Sequence, residues 1–149
     1  MPVRPGTDAD RAFMVEAFRW AALASYPELE QLGRLTLADR LEELWAGYDQ
    51  PDRRWWIATD GDRSVGGCWV NPGYHPVLDH PEGVILAIAV HPDFRGRGHA
   101  RALLETARAV LASEGIVHLR LFVHPDNLPA RRLYEALGYR VSTLEMRRD

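Results

Sequence analysis

Seven consecutive apolar residues, Val84-Ile85-Leu86-Ala87-Ile88-Ala89-Val90, constrain this chain more than any other stretch. A strand with one wet face alternates apolar and polar residues, so a strand apolar on both faces is covered on both. Behind it, His91 to Gly98 forms a loop. A helical period follows from His99 to about Glu114, carried by Ala100, Leu103, Leu104, Ala107, Val110 and Leu111. Gly115 stands where a helix C-cap belongs. The unit is a central strand, a tight loop and an amphipathic helix.

The other elements take their places around it. Val3 and Arg4 read as a short first strand. Thr7 or Asp8 is placed to cap a helix from Ala9 to about Ser25, whose apolar face is Phe13, Ala17, Trp20 and Ala24. Pro27 breaks it. A second helix is expected from about Thr36 to Tyr48, with Thr36 and Asp39 resembling a capping box. Arg54 to Thr59 and Val65 to Val70 read as strands around an Asp60-Gly61-Asp62 turn, with Gly66-Gly67 as a bulge. Asn71 to Gly83, with three prolines and two glycines, reads as a loop. Val117 to Val123 alternates as a strand. Pro125-Asp126-Asn127 is a turn, Pro129 opens a short helix that Gly138 ends, and Tyr139 to Met146 reads as a last strand. The expected architecture is one α/β domain over residues 1–149 with a mixed sheet and no repeat or linker.

Composition narrows the function classes. The formal net charge of −3 argues against bulk nucleic-acid attraction. The one cysteine, Cys68, excludes an intramolecular disulfide and a Cys-rich zinc site. No histidine pair has the spacing of a zinc protease, so no metal is expected. The N-terminus shows no signal peptide and no membrane span, which leaves a cytoplasmic protein without a membrane partner as the expectation.

The loop carries the sharpest chemistry. Arg95-Gly96-Arg97-Gly98-His99-Ala100 leads from a covered strand into a helix, where the first backbone N–H groups lack partners and the dipole favours negative charge. Gly96 and Gly98 let the backbone approach an anion closely, and Arg95, Arg97 and Arg101 add positive charge. A diphosphate is the natural occupant. A dinucleotide fingerprint fails because Arg101 stands near where its third glycine is required, and a Walker loop fails because neither Gly-Lys-Ser nor Gly-Lys-Thr occurs.

Arg95-x-x-Gly98-x-Ala100 behind Ile88-Ala89-Val90 resembles the acyl-CoA motif of the GNAT family of N-acetyltransferases. A second motif of that family follows about thirty residues on: Asn127, Ala130, Tyr134, Gly138 and Tyr139 in order. The resemblance implies a single-domain acyl-CoA N-acyltransferase fold: a mixed central sheet, helices on both faces and a splayed pair of central strands. It implies acetyl-CoA as acyl donor, with the loop amides on its pyrophosphate and Ile88, Ala89 and Val90 along the pantetheine arm. Asn127 and Ala130 are placed beside that arm. Arg131 is open between a ribose-phosphate contact and solvent. Tyr134 is implied near the thioester sulfur as a proton donor, or else it closes its helix against the sheet.

A base is harder to find. Many relatives carry a glutamate on the central strand, and Val84 to Val90 has none. Glu82, just before it, is the nearest candidate and competes with a plain surface role. His75, His80, His91 and His124 are alternatives, as is water. Phe18, Trp20, Tyr26, Trp45, Tyr48 and Tyr74, with the acidic residues of the first half, form either an acceptor pocket or core and surface. The reading is therefore direct acetyl transfer to a small-molecule or peptide amine. An acyl-CoA sensing domain, a longer acyl donor and a hydroxyl acceptor remain alternatives, and a homodimer through Val141 to Met146 stays open.

Overall fold

The computed structural model describes residues 2–149. Strands β1 (Val3–Pro5), β2 (Arg54–Asp60), β3 (Arg63–His75), β4 (His80–Val90) and β5 (His118–Leu121) form one sheet in the order β1-β2-β3-β4-β5. All pairings are antiparallel except β4 with β5, which is parallel. The helices are α1 (Arg11–Ser25), α2 (Arg34–Tyr48), α3 (His99–Ser113) and α4 (Leu128–Ala136). Among the described residues no helix is long and apolar enough to cross a membrane.

Alternation along the strands fills both faces. Trp56, Cys68, Val70 and Ile85 point to the side covered by α3, against Leu103, Leu104, Ala107 and Leu111, with Leu133 and Tyr134 of α4 at its margin. Trp55, Ile57, Trp69 and Ala87 point to the side covered by α1 and α2, against Met14, Ala17, Phe18 and Trp45. The expected mixed sheet with helices on both faces is what the chain forms. Trp69 centres the second face. It is fully buried, 4.6 Å from the Trp45 ring and 5.7 Å from Phe18, and its Nε1 donates to Asn71 Oδ1 at 2.8 Å. Trp69→Ala should therefore cost about 3–5 kcal/mol of unfolding free energy in a urea titration.

Several boundaries differ from the sequence expectation. Asn71 to Gly83 is mostly strand: β3 and β4 pair from Asn71↔Val84 out to His75↔His80. The prolines are tolerated because this end of the hairpin is a two-stranded ribbon. Pairing of β3 with β2 stops at Val70, and pairing of β4 with β5 begins only at Glu82. A proline whose missing N–H would face outward there breaks no ladder bond. Gly66 and Gly67 pair regularly, and the register shift lies beside them, at Val65. Gly67 is needed for close approach instead, since a Cβ there would sit 2.6 Å from Met14 Sδ. Helix α2 begins two residues earlier than expected, with Gly33 as N-cap in place of Thr36. The carboxylate–backbone clasp occurs at Asp10, which accepts the Thr7 N–H at 2.9 Å and holds Arg4 at 2.7 Å.

The final expected strand does not form. Residues 140–149 are exposed and, among the described residues, pair with no strand, and β5 keeps only His118–Leu121 of its expected length. Alternation marks a segment that suits a sheet, but pairing is decided by an edge in register.

Candidate acyl-CoA site

The site begins where the sheet comes apart. Strand β4 pairs with β5 from Glu82↔His118 to Ile85↔Leu121 and no further. On its other side Val70 faces Ile85 while Trp69 faces Ala87, so Leu86 is an extra, bulged residue. A bulge bends its strand and adds twist. Here it falls directly after the last β4–β5 pair, and the two strands part. The cleft between them is walled by Leu86 and Ile88 on one side and by Phe122 and His124 on the other. Ala21 and Ser25 of α1 floor it, and Asn127 and Tyr134 reach it from the α4 region.

The loop from His91 to Gly98 stands at the end of the parted β4. Gly96 has φ 76° and Gly98, the N-cap of α3, has φ 91°. In this left-handed region a Cβ is strained. Among the described residues no backbone N–H from Gly96 to Arg101 finds a partner in the chain, and the first to do so is Ala102, on the Gly98 carbonyl at 3.0 Å. A run of free N–H groups at the start of a 15-residue helix is an anion cradle.

The arginines divide. Arg95 is a brace: its Nε donates to the Val90 carbonyl at 3.0 Å and ties the loop to the strand. Arg97 lies over the Phe94 ring at 5.0 Å with its guanidinium exposed. Arg101 pairs with Glu105 at 3.2 Å. Arg131 donates to the Pro125 carbonyl at 3.0 Å and so stiffens the turn before α4. His99 is 6% exposed, buried among protein rather than presented at the loop surface.

The second motif folds as a unit. Asn127 caps α4, its Oδ1 accepting the Ala130 N–H at 3.3 Å. That leaves the Asn127 amide nitrogen as a donor. Tyr134, one turn after Ala130, is half-buried at the cleft, and burial pushes its phenol up to about 12, with Cys68 and Tyr139 as further causes. Its hydroxyl therefore stays protonated at neutral pH. Cys68 is fully buried, and burial pushes its thiol up to about 12 as well, which suits packing and not nucleophilic attack.

Glu82 is not a surface carboxylate before the strand. It lies within β4, 4% exposed, and accepts from Arg120 of β5 at 2.9 Å. A Cβ on Gly83 would meet Leu119 and Leu111 on the α3 side, so its neighbour Glu82 faces the α1–α2 side, as Leu86 does. Ile88, Asn127 and Tyr134 meet around the cleft. Ala89 and Val90 follow on the same parted strand, whose outward backbone has no β5 partner. Phe18 and Trp45 are core, whereas Tyr26, Tyr48 and Tyr74 are exposed. The sequence reading missed Ala21, Ala24 and Ser25. Their signal is small side chains on the helix end that faces the parted strands.

Residues 15–139 match the model of the acetyltransferase (GNAT) family. The chain belongs to that family. Among curated relatives, the mycothiol acetyltransferase of Beutenbergia cavernae is 34% identical over 91% of this chain and 46% of its own length. That of Kocuria rhizophila is 37% identical over 79% of this chain and 39% of its own. The chain thus spans less than half the length of these relatives. Among solved structures, a GCN5-related N-acetyltransferase from Ralstonia eutropha superposes with TM-score 0.74 at 22% identity, covering 99% of this chain and 97% of that one. A predicted acetyltransferase solved with acetyl-CoA, from Clostridium acetobutylicum, gives 0.72 at 16%, covering 98% and 95%.

Proposed function

We propose that this chain transfers the acetyl group of acetyl-CoA to the amine of a small molecule. The observation that carries the reading is that one parted strand, β4, has a cleft opened by the Leu86 bulge and faced by Tyr134 along it and a free N–H cradle beyond its end. The cradle suits a diphosphate, and the edge of β4 left unpaired beyond Ile85 offers an extended arm free backbone groups. The name of the curated relatives favours a small-molecule acceptor over a protein.

Acetyl-CoA supplies an activated thioester. The free amides from Gly96 to Arg101 hold its diphosphate, with Arg97 adding charge, and the open edge of β4 at Ile88 to Val90 guides the arm toward Tyr134. The neutral amine attacks the thioester carbonyl carbon, the C–S bond breaks, and the sulfur leaves with a proton. Tyr134 is placed to hydrogen-bond that sulfur as charge builds on it. We assign removal of the amine's proton to Glu82 acting through water, with Arg120 fixing the carboxylate.

Glu82→Gln should lower kcat by about 10- to 100-fold near neutral pH. The deficit should shrink as the pH approaches the acceptor's own pKa, because the amine then arrives neutral. Release of the coenzyme A thiol, followed colorimetrically against pH with small amines, checks this. A deficit independent of pH would assign Glu82 to structure through Arg120. No thiol release with any amine would sink the transfer reading.

A further inference from the structure

The tripeptide His-Pro-Asp occurs twice, once beyond each strand that forms the cleft: His91-Pro92-Asp93 directly after β4, and His124-Pro125-Asp126 after Phe122 and Val123 have led away from β5. The two copies share one geometry. His91 Nδ1 accepts the Asp93 N–H at 3.1 Å, and His124 Nδ1 accepts the Asp126 N–H at 3.1 Å. In both, the aspartate carboxylate lies 3.9 Å from that nitrogen. Each histidine is thus a turn residue through Nδ1. The surroundings then diverge. His91 packs against Trp20 and Phe94, with ring centroids 5.5 and 5.8 Å away, and its Nε2 meets the Arg63 guanidinium at 3.2 Å. His124 lines the cleft beside Asn127 and Tyr134.

A neutral imidazole carries one hydrogen. Where Nδ1 accepts a backbone N–H, that hydrogen must be on Nε2. His124 therefore has no free lone pair with which to act as a base. Among the described residues its Nε2 has no hydrogen-bond partner and is not enclosed by protein. The Asn127 side-chain oxygen accepts the Ala130 N–H and its amide nitrogen remains a donor, and Tyr134 keeps its proton. Three side chains from the β5–α4 corner thus offer the cleft donors.

We infer that His124 is a ligand-binding residue, its Nε2–H donating to a carbonyl oxygen of the acetylated pantetheine arm. This rests on the acetyl-CoA reading and assigns a contact that neither sequence motif contains. Asn127 stands beside it as a companion donor, so an arm carrying amide and thioester oxygens meets a surface made to receive them, while Tyr134 is kept for the sulfur.

The experiment uses two isosteres. Asparagine reproduces Nδ1 as acceptor and so keeps the turn, but it lacks a donor at the reach of Nε2. Glutamine places an N–H near the Nε2 position. Acetyl-CoA affinity is measured by calorimetry at pH 8 for the wild type, His124→Asn and His124→Gln, with thermal melts as a fold control. Nitrogen NMR of histidine-labelled protein reads the tautomer directly. The expected result is an Nε2–H tautomer whose resonance shifts on adding acetyl-CoA. Affinity should weaken about tenfold or more in His124→Asn and stay within about threefold in His124→Gln. An Nδ1–H tautomer, or unweakened binding by His124→Asn, would overturn the assignment while leaving the coenzyme site intact. Failure of the wild type to bind acetyl-CoA would instead remove the reading beneath it.

Discussion

Gly98→Val should weaken acetyl-CoA binding by about 100-fold or more while the protein stays folded. Gly98 sits at φ 91° as the N-cap of α3. A β-branched residue in that region costs about 1–3 kcal/mol, and escape to negative φ rotates the peptide groups around it. Those groups carry the N–H donors from Gly96 to Arg101 that have no partner within the described chain. The substitution thus either strains the loop or turns its donors away, and a Cβ also intrudes between backbone and anion. Gly115 supplies the control. It has φ 86° just past the far end of α3, with open space where a Cβ would stand. Gly115→Val should lower stability comparably and leave acetyl-CoA affinity unchanged. Paired calorimetric titrations separate a general cost of left-handed backbone from a specific loss of the anion cradle.

Tyr134→Phe should lower kcat by about 100-fold and change acetyl-CoA affinity by less than about threefold. The ring packs at the margin of the α3-side core, edge-on to Tyr139 at 5.9 Å, and phenylalanine keeps that packing. Only the hydroxyl is lost. In the folded chain burial pushes the phenol up to about 12, so Tyr134 remains a donor through the whole range in which an amine becomes neutral. The wild-type rate should accordingly show no alkaline decline from this group below about pH 10. Steady-state rates of the two proteins between pH 6 and 10 check both statements. An equal fall in affinity and kcat would make Tyr134 a packing residue, and an alkaline limb below pH 10 that disappears in Tyr134→Phe would show that the ionised form is inhibitory there.

Much of this was legible because it is written in local pattern. The all-apolar run marked β4, the Gly-x-Gly turn marked the start of α3, and Asn127 to Tyr134 marked the cap and face of α4. Each depends on residues within one or two turns of one another. What escaped depends on partners far along the chain. The β3–β4 ribbon holds prolines at Pro72 and Pro81 because β2 and β5 stop short of them, and composition around those prolines signals a loop. Glu82 stayed open between a base and a surface carboxylate because its ion pair is with Arg120, 38 positions away. The cleft itself comes from one extra residue, Leu86, whose neighbours in sequence are indistinguishable from it in hydropathy. Only the register against Trp69 and Val70 identifies it. The segment after Gly138 erred the other way: Tyr139 to Met146 alternates as strands do, yet finds no edge to join.

Calorimetric titration of the folded chain with acetyl-CoA, with adenosine and dephospho-CoA as controls, tests the central claim most directly. The expected result is saturable binding at micromolar or tighter affinity, with adenosine far weaker because it lacks the diphosphate that the loop amides hold. Absence of binding by protein that melts cooperatively, or equal affinity for adenosine, would contradict it.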